Sequence, residues 1–446
     1  MNRWLRLPLA LPVMIAVVCV ASPASAQSVA APRAPQGVFG AVRPDTGAKT
    51  KLDVTASLAQ GYDDDVPAEL GSTLDPSSLQ TGGPWTMVNA AANYAWAGKR
   101  AEFGATGASN LRYFADVGET RSVGHNAGVG LTLRLPSRTT FLVNQGAAYS
   151  PTYLYDLFPT GAVTEPGSTP TTAPDYSVST FDTYAYSTLM TLRHDFTSRV
   201  RLSFTGDYFY TDRVNETPQW QDSNAHSLGS EYSQNLGRNL MLVGAYHYRT
   251  GEFGFEGGGK TSEHGVEFGM DYTRPLSATR RATFDARLGA SGADYDTVTA
   301  SGLLPVRQYR ATGQAGIGFE FARTWQTRAY FRRALEFVMD LPVPVFANGV
   351  GASMAGMVAR RIDVLASAGY SSGASALNRN GLIFDTYTGN LRVRYAFKRS
   401  LAAYGEYIYY YYQFQGTTQL APGFPPGLER NGVRAGLMLW MPALRR

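Results

Sequence analysis

Residues 187–211, STLMTLRHDFTSRVRLSFTGDYFYT, constrain the fold more than any other stretch, because polar and apolar side chains alternate along them with a period of two. Val200, Leu202, Phe204, Gly206, Tyr208 and Tyr210 fall on one face of an extended chain, and Arg201, Ser203, Thr205 and Asp207 fall on the other. The preceding arm, 184–196, is also of mixed polarity and reaches this strand through the tight turn Thr197-Ser198. Two amphipathic strands joined by so little chain predict an antiparallel hairpin. Similar hairpins fill most of the sequence, which predicts one large closed sheet.

The start of the chain indicates where such a sheet is built. Arg3 and Arg6 precede an apolar run from Leu7 to Val20, and Ala24-Ser25-Ala26 supplies small residues for cleavage, so 1–26 reads as a secretory signal peptide. Cys19 is the only cysteine and lies inside that leader. A chain cleaved after Ala26 therefore has no disulfide, thiolate nucleophile or cysteine-held metal. Past the leader no run of about 20 apolar residues occurs, which argues against membrane-spanning helices. Charged residues make up only 17% of the chain, and the mean hydropathy of -0.19 is near neutral. A membrane barrel has this profile because its apolar residues are spread over alternate positions. The formal charge of +5, from 40 basic and 35 acidic residues, gives no case for nucleic acid.

Residues 27–49, rich in Pro and Ala, read as a flexible periplasmic segment. Strands are expected from near Thr50, then near 85–97, 100–116, 120–135, 138–152, 179–196, 199–212, 222–236, 238–252, 260–274, 280–292, 307–323, 325–338, 348–359, 362–372, 381–397, 400–415 and 429–440. The fold class is thus all-β, a transmembrane antiparallel barrel over 50–440 with about 18 strands, or 16 if one hairpin merges, and a short tail at 441–446. Short turns alternate with longer connections such as 63–84, 153–177, 293–306, 340–347 and 416–429. Lys99, Arg100, Arg138, Arg199, Arg238, Arg360, Arg361, Lys398 and Arg399 gather at the short turns, while Asp63, Asp64, Glu119, Asp156 and Asp294 lie toward the long connections. The even strand count places both termini on the periplasmic side.

A soluble sandwich or propeller would cover its outer face with polar residues. Here Leu391, Val393, Tyr395 and Phe397 form a continuous apolar face, and Trp325, Ala329, Phe331, Leu335 and Phe337 nearly do so around Arg333. Only closure satisfies every backbone donor in hydrocarbon. The opposite faces carry the candidate pore-lining residues Arg287, Arg310, Glu320, Arg328, Arg332, Glu336, Arg392 and Arg394. Such charges either steer solutes through a water-filled lumen or pair to brace its wall.

The dense aromatics Tyr404, Tyr407, Tyr409, Tyr410, Tyr411, Tyr412 and Phe414, and the set Tyr149, Tyr153, Tyr155 and Phe158, read first as an interfacial girdle and second as a stacking path for sugars. Catalytic spellings are weak. His194, Asp195 and Ser198 have the residue types of a hydrolase triad, but neighbouring strand residues point in opposite directions. His247 with Arg249, and His264 with Glu263 or Glu267, read as wall residues. Residues 254–261, GFEGGGKT, have phosphate-loop spacing without the helix that such a loop requires.

The repeated hairpins, and Leu192-Arg193-His194-Asp195-Phe196-Thr197-Ser198-Arg199 with the strand to Tyr210 above all, resemble the β-barrel porin type 2 families of Gram-negative bacteria. The resemblance covers most of the mature chain. It implies an outer-membrane barrel of loosely defined function, some relatives being associated with exopolysaccharide gene clusters, and it carries over no catalytic residue. Trp440, followed by Met441 to Arg446, is expected to be the aromatic that ends the last strand.

The functional expectation is a non-enzymatic channel for passive diffusion of small hydrophilic solutes, with a weak preference for anions and no cofactor. A polysaccharide export conduit or docking component, and a non-conducting structural barrel, stand as alternatives. Expected partners are outer-membrane lipid and lipopolysaccharide, the barrel-assembly machinery, and the solute or polysaccharide.

Overall fold

The structure is a computed structural model that describes residues 49–64, 82–115, 120–149, 183–213, 222–252, 260–277, 279–299, 302–322, 324–336, 345–375, 383–415 and 427–446. The expected leader, nearly all of the N-terminal segment, the acidic connection over 65–81, the aromatic stretch 150–182 and the glycine-rich 253–259 lie outside the described residues.

Eighteen strands follow one another in chain order. They are β1 (Thr50–Asp63), β2 (Gly83–Ala97), β3 (Ala101–Phe114), β4 (Thr120–Leu135), β5 (Thr139–Tyr149) and β6 (Thr183–Asp195). Next come β7 (Val200–Arg213), β8 (Ser223–Asn235), β9 (Leu240–Glu252), β10 (Lys260–Ser277), β11 (Arg280–Thr299) and β12 (Gly302–Phe321). The last six are β13 (Trp325–Glu336), β14 (Val345–Ala359), β15 (Ile362–Ser375), β16 (Ile383–Lys398), β17 (Leu401–Gln415) and β18 (Gly427–Arg445). Each pairs antiparallel with its chain neighbours, and β1 pairs with β18 from Lys51↔Arg445 to Asp63↔Gly432. The sheet therefore closes on itself and leaves no edge through the membrane.

Alternation sorts the side chains as the period-two pattern requires. Val88, Leu111, Val129, Phe268, Leu288, Ile317, Phe331, Val350, Leu391, Val393, Val433 and Leu437 are exposed on the outside. The residues between them face the lumen and are mostly polar or small. In β7, Tyr208 is exposed outside, while Thr205 and Thr211 are buried inside. The tight turns at one end of the barrel carry the expected basic residues, and the left-handed residues Ser137, Arg138 and Ala322 lie there (φ 59°, 59° and 50°).

Two expected boundaries move. Within the stretch 293–306, expected as an external connection, residues 293–299 and 302–306 are strand: β11 and β12 stay in register through Asp294↔Arg307 to Thr299↔Gly302. Arg307 holds this extension by donating to both oxygens of Asp294 at 2.5 and 2.6 Å. The last strand runs on past Trp440 to Arg445, because a register shift near Leu52 and Asp53 accommodates Pro442 and Arg445 pairs with Asp53. Backbone hydrogen bonds between Thr50 and Arg446 at 2.8 and 3.0 Å finish the seam.

The seam between β12 and β13 is short, nine pairs from Gly313↔Arg333 to Phe321↔Trp325. Above it residues 302–312 pair, among the described residues, with β11 only. Leu335 has the outward phase of β13, yet it is 2% exposed and packs with Phe346 against Ala293. Arg249 of β9 donates to the Leu335 carbonyl at 3.1 Å. The end of β13 thus parts from β12 while it stays paired with β14, and leans over the inner surface of β9 to β11.

Candidate functional site

Charged side chains on the inner wall form two groups. One spans β15 to β1. Arg394 donates to both oxygens of Asp363 at 2.9 and 2.6 Å, and both residues are buried. Beside them Glu406 accepts from Asn390 at 2.5 Å and from Arg434 at 2.7 Å. Arg430 pairs with the buried Asp63 across the closing seam. These are charge-assisted contacts between adjacent strands, and they brace the wall as well as keep it polar.

The second group spans β8 to β13. Arg287 is 3% exposed and donates to both oxygens of Asp271 at 2.6 and 3.1 Å. Lower on the wall, Arg328 approaches Asp285 at 3.4 Å and Arg281 approaches Glu320 at 3.7 Å. Higher up, Glu263 is 2% exposed and accepts from Ser291 at 2.5 Å. His247 and Arg249 stand 3.5 and 3.6 Å from its two oxygens. A cavity of about 60 Å³ opens here, lined among others by Glu231, Glu267, Arg287, Thr312, Gln314 and Arg332.

Of the residues expected to line a pore, Arg287, Arg310, Glu320, Arg328, Arg332, Arg392 and Arg394 all occupy inward positions. Glu336 takes the last position of β13, opposite Val345, and its side chain lies outside the described residues. The structure brings Arg287 and Arg332 to one cavity and ties Arg394 to Asp363 on another part of the wall.

The convergence of His247, Arg249 and Glu263 was not foreseen. Its signal is the inward row of β10, where Glu263, Glu267 and Asp271 alternate with Gly265 and Gly269. A Cβ at Gly265 would overlap the His247 ring, and one at Gly289 would stand 2.8 Å from Cγ of Glu267. The absence of a side chain at Gly265 lets the His247 ring lie flat on the wall, and at Gly289 it makes room first for the Val266 carbonyl and then for Glu267.

The other spellings separate in space. His194 faces outward and meets Thr139 Oγ1 at 2.8 Å, whereas Asp195 faces inward and accepts from Arg201 at 2.6 Å. Ser198 lies in the exposed turn, so the three do not form a triad. His264 is also outside, 2.8 Å from the Tyr246 hydroxyl, away from Glu263. Lys260 and Thr261 open strand β10, so no helix follows the glycine-rich stretch.

Aromatics on β17 divide between the faces. Tyr407 is exposed outside, and Tyr411 packs there against Tyr387 in a tilted contact at 5.7 Å between centroids. Tyr404, Tyr410, Tyr412 and Phe414 are buried on the inner side, and Phe384 of β16 packs beside Phe414 at 6.1 Å. Outer rings continue across β4 to β10 in the contacts His125–Tyr149, Tyr149–Tyr184, Tyr208–His226 and Tyr248–His264. Outer rings in such a band have the placement of the aromatic girdles of membrane barrels.

A closed 18-stranded antiparallel wall, apolar outside and charged inside, defines an integral β-barrel of the bacterial outer membrane. No protein-family model matches the chain, and no curated protein matches it in sequence. Solved structures similar to it include the outer membrane protein OprD from Pseudomonas aeruginosa, at 12% identity and a TM-score of 0.42, covering 96% of this chain and 98% of that one. Pseudomonas aeruginosa OccK2 (OpdF) in complex with glucuronate is similar at 10% identity and a TM-score of 0.45, with 89% and 98% covered. The ferric-catecholate import receptor Fiu from E. coli is similar at 9% identity and a TM-score of 0.43, with 89% and 82% covered.

Proposed function

We propose that this barrel is a porin-like channel through which small hydrophilic solutes diffuse passively. The observation that carries the proposal is the inner wall of β8 to β13, where Arg, Asp, Glu and His side chains cover six adjacent strands and border a polar cavity. A barrel serving only as a structural element has no need of so many charges. Those charges suit a path that replaces part of a solute's hydration. The likeness to the β-barrel porin type 2 families agrees with this reading at the level of architecture.

The proposed charge preference is mild and toward anions. Arg394 and Arg287 contribute little to it, since Asp363 and Asp271 neutralise them. Arg328 contributes more, because its contact with Asp285 is longer, at 3.4 Å, and 61% of its side chain is exposed. Liposome swelling tests the proposal: vesicles holding the folded protein should admit monosaccharides faster than trisaccharides. Swelling no faster than that of protein-free vesicles, for any sugar, would refute it.

A further inference from the structure

The recess on β8 to β13 has an imbalance that the channel reading does not use. Its cations have protein partners: Arg287 is held by Asp271, Arg249 by the Leu335 carbonyl and Glu263, and Arg333 by the Ala311 carbonyl and Asn348. Two of its carboxylates do not. Glu231 and Glu267 form no ion pair or side-chain hydrogen bond among the described residues, and both line the cavity. Among the described residues, Oε2 of the buried Glu263 makes no hydrogen bond, Arg249 standing 3.6 Å away, and neither Nε2 of His247, 3.5 Å from Oε1, nor Oγ1 of Thr312 makes one.

Thr312 supplies evidence independent of the carboxylates. It is 6% exposed, sits on β12 across the recess, and leaves its hydroxyl unpartnered at the cavity. A buried hydroxyl and a buried carboxylate oxygen without donors are costly unless something in the cavity bonds to them. The side chains are also held in place, with His247 flat over Gly265 and Glu267 flat over Gly289.

The unmet demand is for N–H and O–H donors beside carboxylates. One water needs about 10–15 Å³ of such space. The cavity of about 60 Å³ therefore suits a solute of four or five heavy atoms. We propose that this recess is a binding subsite for a small hydroxylated primary amine, with its ammonium group on Glu231, Glu263 and Glu267 and its hydroxyl toward Thr312. Arg332 lines the β13 side and limits the site to one ammonium group. The inference rests on the channel reading only in that a solute must reach the lumen.

Ligand-observed NMR on the folded barrel in detergent tests it, with ethanolammonium as probe and choline as its counterpart. Choline has the same charge and hydroxyl but no N–H donor, and its seven heavy atoms also exceed the size the cavity suits. Ethanolammonium should bind and choline should not. Glu267→Gln and Thr312→Val, each close in shape to the original, should weaken binding about tenfold, equivalent to about 1.4 kcal/mol. Heat-resistant migration on a gel confirms that each variant is folded. Equal binding of choline, absence of ethanolammonium binding to the folded wild type, or unchanged affinity in both variants would overturn the proposal. Binding by a barrel that passes no current would leave the subsite standing and defeat the channel reading alone.

Discussion

Val393 tests which face of the wall meets lipid. It is 43% exposed on β16 between Val364 of β15 and Gly405 of β17, in line with Leu391 and Tyr395. It lies five residues before Lys398, where the short turn begins. Five residues rising ~3.3 Å each on a strand tilted by ~40° climb about 13 Å, half of an apolar band ~25 Å tall. Val393 therefore sits close to the midplane, where an outward arginine costs about 2–4 kcal/mol. No acidic side chain flanks it on that face, since its cross-strand partners are Val364 and Gly405. Its neighbour Arg392 faces the lumen, so Arg392→Leu should change stability by less than about 1 kcal/mol. Urea titration of folding into lipid vesicles, followed by tryptophan fluorescence, gives both differences. A stable Val393→Arg beside a strongly destabilised Arg392→Leu would invert the assignment of faces.

Three further outcomes are expected. Asp363→Asn leaves the buried Arg394 without its counter-charge and should cost about 3 kcal/mol in the same titration, whereas Glu102→Gln, at the exposed pair with Arg134, should cost under about 1 kcal/mol; equal costs would contradict the burial argument. Arg328→Gln combined with Arg332→Gln should move the reversal potential in asymmetric KCl toward cation permeability, by an amount that shrinks as salt rises; an unchanged potential would remove these arginines from the conducting path. Cysteines introduced at Ser137 and Lys398 should react with an impermeant reagent only after the outer membrane is permeabilised, and one at Asp294 should react in intact cells; reaction at all three in intact cells would refute the orientation.

The strands were legible because lipid on one side and water on the other impose a period of two, and because a short turn rich in Arg or Lys ends most hairpins. Closure leaves the pattern few alternatives. The extension of β11 and β12 was hidden for a physical reason. Pro305 weakens any reading of a paired strand, yet here it falls in residues 302–312, which among the described residues have a neighbour on one side only. Pro442 disguised the end of β18 similarly, and the shift near Leu52 and Asp53 accommodates it.

Single-strand patterns could place Arg287, Arg332 and Arg394 on the inner face but could not show which partner each meets. Arg394 finds Asp363, 31 residues away, and Arg249 finds Leu335, 86 residues away. Leu335 itself defeats the alternation rule, because the end of β13 parts from β12 and buries a residue whose phase points to lipid. The recess depends on that departure, on glycines that matter only when opposite strands are known, and on pairing across six strands.

The central claim is that the charged lumen is an open path for ions and small solutes. Single-channel recording of the purified protein in planar bilayers tests it most directly. Insertion in 1 M KCl should give discrete, stable conductance steps that persist without added carbohydrate or protein partner, with weak ion selectivity. Folded barrels that insert and stay silent under the same conditions would contradict it.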